Sequence, residues 1–299
     1  MPRPGPPARQ ECSTIAVQVN PITESDVPAV AAFLHAHMNG RVSAATWARS
    51  VRVPWQVDAP NHGFMLRDDD GVVGVHLAFY SERTMDGRTE RFCNLGAWCV
   101  LPDHRFHSVR LLKALLAQDG YHFTDLSPSG SVVPLNTRLK FQFLDTTTAL
   151  VPNLPWPSWP GRDVISSDPT LLEGTLTGPA LRLYRDHART GAARHVVLIR
   201  GGDWCYVVFR KDRRRNLPIF ASVLHVSNPA LFRRMARPFT RHLLLRHGVL
   251  ATLAELRVVG GRPWPSVKLR EHRRKMFRSP SLTPDQIDYL YSELVCVAW

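Results

Sequence analysis

The sequence predicts an α/β protein built as two tandem domains, each a mixed, mostly antiparallel twisted sheet flanked by helices. Three observations carry this. The chain has 299 residues, beyond the ~100–200 residues usual for one domain. Period-2 apolar runs bounded by turn dipeptides alternate with runs of helical period. The second half then repeats the order of the first at an offset of about 130 residues, a domain-scale repeat.

Residues 1–13 are proline-rich and lack an apolar segment, which reads as a disordered leader rather than a secretory signal. Residues 14–19 (TIAVQV) alternate as a strand. Val27, Val30, Ala31, Phe33, Leu34 and Met38 recur at helical spacing and predict a first amphipathic helix ending near Asn39-Gly40. A second short helix over 44–53 is stopped by Pro54. Residues 62–67 and 72–83, joined through Asp70-Gly71, read as a β-hairpin, and Asp86-Gly87 turns the chain into a third antiparallel strand over 89–100. A helix over 104–117, a strand over 121–127, a short helix or turn over 134–143 and a strand over 146–151 complete a first domain spanning 14–151.

Residues 152–162 (PNLPWPSWPGR) carry prolines too closely spaced for helix or central strand, and mark the linker, 152–178, pinned by Trp156 and Trp159. In the C-terminal domain, 179–299, a hairpin over 195–211 turns at Gly201-Gly202-Asp203. A strand over 218–226, a long helix over 230–247 and a strand over 249–258 match 93–100, 104–117 and 121–127 in order. Thr283-Pro284 starts a final segment expected to dock as a helix and then a strand, with Tyr289 and Tyr291 in packing roles.

The formal net charge is +13, with a pI near 10.2. Two arginine runs, 210–215 and 270–278, carry the dense charge, which suits an anionic partner and brings nucleic acid into consideration. Neither run is interleaved with aromatics as a stacking platform would be, nor set on a recognisable DNA-binding motif. Cys12, Cys93, Cys99, Cys205 and Cys296 are scattered without a C-x-x-C pair, so neither a disulfide nor a metal is expected. No apolar run approaches the ~18 residues that span a bilayer, and a cytoplasmic protein is the expectation.

The chemistry concentrates in residues 91–116 (RFCNLGAWCVLPDHRFHSVRLLKALL). A strand ends in Val100-Leu101-Pro102 and gives way through a polar turn to a helix whose stripe is Leu111, Leu112, Leu115 and Leu116. A strand meeting a helix N-terminus presents backbone N–H groups and a positive dipole end to phosphate. This segment resembles the acyl-CoA binding motif of the GNAT N-acyltransferases. Val100-Leu101-Pro102-Asp103-His104-Arg105 matches the V-x-P-x-x-R part, while Ser108 and Arg110 stand where the family carries small residues. Asn136, within 135–141 (LNTRLKF), resembles the asparagine that steadies the pantetheine arm in the helix after the fifth strand.

The resemblance implies an acyl-CoA, such as acetyl-CoA, as co-substrate, held by Cys99, Val100, Arg105, Ser108, Arg110 and Asn136. The thioester carbonyl would be polarised by a backbone N–H near Cys99 or Val100 at a bulge in the fourth strand. Ser108 adds a hydroxyl donor, and Arg110 either pairs with phosphate or blocks the closest approach of the backbone. The family's tyrosine acid has no counterpart, since Phe141 or Phe143 stands in its place. Deprotonating an amine calls for a base, for which Asp125 and His76 are the candidates, with Asn94 as substrate anchor. The implied activity is N-acyl transfer to a small-molecule amine, acidic or nucleotide-linked, with the second copy degenerate. The alternatives are an inactive GNAT-like binding module and an arginine-rich nucleic-acid-binding protein.

Overall fold

In the computed structural model the described residues are 17–157, 161, 163–214, 217–270 and 273–298. The expected leader, Cys12, Trp159 and Arg215 lie outside them. The first half runs β1 (Gln18–Pro21), α1 (Val27–His37), α2 (Ala44–Val51), β2 (Gly63–Asp68), β3 (Gly71–Met85) and β4 (Arg88–Val100). It continues through a 3-10 turn (Pro102–His107) into α3 (Ser108–Leu116), β5 (His122–Asp125), α4 (Val133–Arg138), β6 (Gln142–Phe143) and β7 (Thr148–Pro152). The second half runs β8 (Asp163–Ser166), α5 (Pro169–Thr175), α6 (Gly178–His187), β9 (Ala193–Arg200), β10 (Asp203–Arg214) and β11 (Leu217–Val226). Then follow α7 (Pro229–Arg234), α8 (Ala236–His247), β12 (Ala251–Glu255), α9 (Leu256–Val259), β13 (Val267–Lys268), β14 (Met276–Arg278) and α10 (Glu293–Cys296).

The strands form two seven-stranded sheets, ordered β1-β2-β3-β4-β5-β14-β6 and β13-β7-β12-β11-β10-β9-β8. Each sheet is antiparallel except for one central parallel pair, β4–β5 in the first and β11–β12 in the second. The two-domain, mixed-sheet prediction therefore holds. Within each sheet the first strand of the parallel pair carries a bulge against its antiparallel neighbour. His76 pairs with Trp98 and Ala78 with Leu95, so Gly96 and Ala97 together face Leu77. In the second sheet Val208 pairs with His225 and Phe209 with Val223, leaving Leu224 extra. An added residue bends its strand, and it does so at matching places in the two halves.

Local elements follow their side chains. Ser43 caps α2 by accepting from the Thr46 N–H at 3.2 Å, and Asn228 caps α7 from the Leu231 N–H at 3.0 Å. The long helix expected over 230–247 is broken at Met235, because Pro238 suits only the first turn of a new helix. The strand expected to 258 stops at Glu255 and becomes α9.

Two short strands cross between the halves. β7 pairs with β12 and β13 in the second sheet, although the sequence order reads it as closing the first. β14 pairs with β5 and β6 in the first sheet. The terminal segment adds no strand among its described residues. Instead α10 touches α2, β4 and β9, and Leu294 and Val295 join a core that also holds Phe79 and Val197. One apolar core thus spans both sheets, and the C-terminal segment is wedged into it beside the site described next.

Candidate active site

β4 and β5 run parallel from Phe92↔His122 to Leu95↔Asp125, and pairing ends there. The bulge at Gly96-Ala97 turns β4 away at that point, opening a cleft of about 430 Å3. His76, Trp98, Asp125, Ser127, Arg273 and Arg274 are among the side chains around it. Gly96 is required by packing, since a Cβ there would come within 2.6 Å of the buried Phe79 ring. The backbone along the cleft is Leu95–Trp98. Cys99 and Val100, expected as the carbonyl-polarising positions, lie further along β4 in regular register with Val75 and Gly74.

Asp125 and Ser127 on the cleft are backed by a buried polar group. Asp125 is 7% exposed and accepts a 2.8 Å hydrogen bond from Asn136 Nδ2. Asn94 donates to the Thr124 hydroxyl at 3.0 Å, and its Oδ1 accepts the Glu293 backbone N–H at 2.9 Å. The predicted substrate anchor is thereby committed to holding α10. Glu293 is 0% exposed, takes a 2.9 Å hydrogen bond from Ser127 Oγ on Oε1, and leaves Oε2 without a partner among the described residues.

Burial pushes the Asp125 carboxyl up to about 6, opposed by the bonds from Asn136 and the Ser127 backbone. Burial, with the Asp125 charge beside it, pushes Glu293 up to about 7. Two carboxyl groups whose protons leave near neutrality are suited to proton transfer. His76 is different. Its ring stacks on Trp98 at 4.5 Å, Nδ1 has no partner, and burial holds it down to about 3. It stays neutral near pH 7, where it shapes the cleft wall but accepts protons weakly.

Of the predicted residues, Asp125 and His76 line the cleft, Asn136 is bonded to Asp125, and Asn94 is bonded to Thr124 and α10 without lining it. Arg105, Ser108 and Arg110 sit apart from that lining, at the entry to α3. Arg105 is exposed on the 3-10 turn, and Ser108 is half-buried at the first position of the helix. Arg110 donates from Nη1 to the Val17 carbonyl at 2.9 Å, beside His107 Nδ1 at 3.2 Å.

Glu293 and Ser127 were not singled out by the sequence, and Arg273 only as part of the basic run 270–278. Glu293 had one signal, a lone carboxylate between the apolar run 294–298 and Ser292, which caps α10 from the Leu294 N–H. Arg273 joins the two basic runs in space. It pairs with Asp212 at 3.2 Å, donates to the Arg213 carbonyl at 3.5 Å, and lies with Arg274 on the cleft. Two cations of the second run, Arg273 and Arg274, therefore line the cleft. No helix among the described residues is long and apolar enough to cross a membrane.

No family model matches the sequence, and no curated protein matches it either. Solved structures do match by shape. A GCN5-related N-acetyltransferase from Kribbella flavida superposes with a TM-score of 0.55 at 14% identity, over 90% of this chain and 72% of that one. One from Anabaena variabilis gives 0.53 at 10% identity, over 88% and 72%. Saccharomyces cerevisiae N-myristoyltransferase with bound myristoyl-CoA gives 0.51 at 9% identity, over 99% and 91%. These likenesses show a GNAT-like fold extending over nearly the whole chain, both sheets included.

Proposed function

We propose that the protein moves an acyl group, acetyl in the simplest case, from an acyl-CoA thioester to the amine of a small acceptor. One observation carries this reading: the parallel pair β4–β5 opens at a bulge beside Asp125, a buried carboxylate that loses its proton near neutrality. The open backbone at Gly96–Trp98 offers hydrogen-bonding groups to the pantetheine arm and to the thioester carbonyl. The start of α3, with Arg105 and Ser108, is the site for the pyrophosphate.

Asp125 accepts the proton that the attacking amine sheds as the new C–N bond forms and the C–S bond breaks. The thiolate that leaves takes up a proton, for which Glu293, protonated below about 7 and bonded to the cleft residue Ser127, is the candidate donor. His76 and Trp98 form a flat apolar wall that keeps water from the thioester. The arginines on the cleft attract the phosphates of the donor and favour an acidic or phosphorylated acceptor. A cytoplasmic setting goes with acyl-CoA as donor.

Release of the CoA thiol, followed with a thiol-reactive dye across a panel of amines, tests the reading. Asp125→Asn should abolish release while acetyl-CoA still binds. Absence of acetyl-CoA binding at millimolar ligand in calorimetry would overturn it.

A further inference from the structure

The second sheet has an opening of its own. β11 and β12 run parallel only to Ser222↔Leu253, and the bulge at Leu224 follows, as Gly96-Ala97 follows Leu95 in the first sheet. Here the gap is nearly filled, leaving a polar cavity of about 50 Å3 around Arg210, Asp212, Ser222, Glu255, Arg273 and Lys275. Most of these groups are spoken for. Lys275 pairs with Glu255 at 2.6 Å, Tyr289 donates to the same carboxylate, and Asp212 takes Arg273 at 3.2 Å and the Ser222 hydroxyl at 3.0 Å.

Arg210 is the exception. It is 2% exposed, and its one hydrogen bond runs from Nη1 to the Leu294 carbonyl at 2.9 Å. Nε and Nη2 have no partner among the described residues. Those two nitrogens form the side-on edge of the guanidinium, which matches the two oxygens of a carboxylate. The same protein shows that fit elsewhere: Arg200 holds Asp163 by Nε and Nη2 at 2.6 Å each. Three cations and two carboxylates line the cavity, so one positive charge lacks a full partner there. Glu293 is the nearest further carboxyl, and burial keeps it partly protonated near neutrality.

The cavity also adjoins the acyl-transfer cleft. Ser127 and Arg273 line both. Glu293 stands between them, bonded to Ser127, with the adjoining Leu294 carbonyl bonded to Arg210. We propose that the acceptor is an amino carboxylate, whose carboxylate seats on the Nε–Nη2 edge of Arg210 while its amine reaches Asp125. This rests on the acyltransferase reading for the amine end and on Arg210 alone for the acid end. The second half of the chain then supplies acceptor recognition.

The test titrates the intact protein by calorimetry with glycine, β-alanine, 4-aminobutyrate and 6-aminohexanoate, each against the alkylamine of equal length. At least one amino carboxylate should bind about tenfold or more tighter than its alkylamine, the size expected of a charged hydrogen-bonded pair. Arg210→Met should erase that preference. Since Arg210 is buried, Ser222→Leu, which fills the cavity and leaves the arginine in place, should erase it too. Equal binding of both series, or a preference surviving in a folded Arg210→Met, overturns the proposal. Thiol release with the same compounds separates the two readings. Arg210-dependent binding without turnover keeps the carboxylate seat and removes the acyltransferase; turnover of all amines regardless of Arg210 does the reverse.

Discussion

Asn136, itself fully buried, aims Nδ2 at Oδ2 of Asp125 across 2.8 Å, and no other side chain among the described residues donates to that carboxylate. The bond opposes the burial that pushes Asp125 up to about 6. A base works above its pKa, so activity should be present at higher pH and fall as pH drops through that value. Asn136→Leu removes the donor to the charged form and moves the acid limb of the kcat/KM profile upward by about one pH unit, the size of a charged hydrogen bond. A limb that stays in place while activity falls would give Asn136 a packing role only.

Glu293 makes the complementary case through stability. Its carboxyl is raised from 4.5 to about 7 in the fold, by burial first and the Asp125 charge second. A group with a raised folded pKa stabilises fully below its unfolded value and loses that contribution as pH rises through the folded one. Glu293→Gln cannot ionise. It should match the wild type near pH 4 and exceed it by roughly 2–3 kcal/mol at pH 8. Denaturant unfolding at the two pH values checks this, and a variant weaker than wild type at pH 8 would show that Arg210 stabilises an ionised Glu293.

The elements that sequence reads well are those whose partners are close in the chain. The β2–β3 and β3–β4 hairpins follow from Asp70-Gly71 and Asp86-Gly87, and the repeat of hairpin, parallel strand and helix appears in both sheets. Asp125 and Asn136 belong to the same class, separated by one turn and one helix. What the sequence hides is long-range. The three residues of β14 carry no sign that they pair with β5 rather than with the second sheet, and β7 is equally silent. Register for so short a strand is set by packing and not by pattern. Glu293 and Arg210 escape for the same reason, since their roles arise only where a terminal segment wedges between two sheets.

Gly96 ties the bulge to the core. A methyl there would meet Phe79 Cε2 at 2.6 Å and Glu293 Cβ at 3.4 Å, and Phe79 is buried with little room to turn. Overpacking of this kind costs about 1–3 kcal/mol. Gly96→Ala should therefore lower the melting temperature by several degrees and reduce acyl transfer together, because the ring and α10 shift as one. Unchanged stability would mean that Phe79 moves freely and that the bulge does not depend on glycine.

Arg110 stands where a small residue would let a phosphate approach the backbone of α3, yet its guanidinium reaches back to the Val17 carbonyl beside β1. An arginine held by that carbonyl is not committed to a ligand, and its bulk still limits approach to the helix start. Arg110→Gly should therefore bind CoA as tightly as the wild type or tighter, while giving up about 1 kcal/mol of stability to the poorer helix propensity of glycine. Calorimetric titration with CoA, run well below the melting temperature of the variant, reads the first effect, and thermal unfolding reads the second. Loss of CoA binding in a folded variant would overturn this and make Arg110 itself the phosphate ligand, released from Val17 when the cofactor arrives.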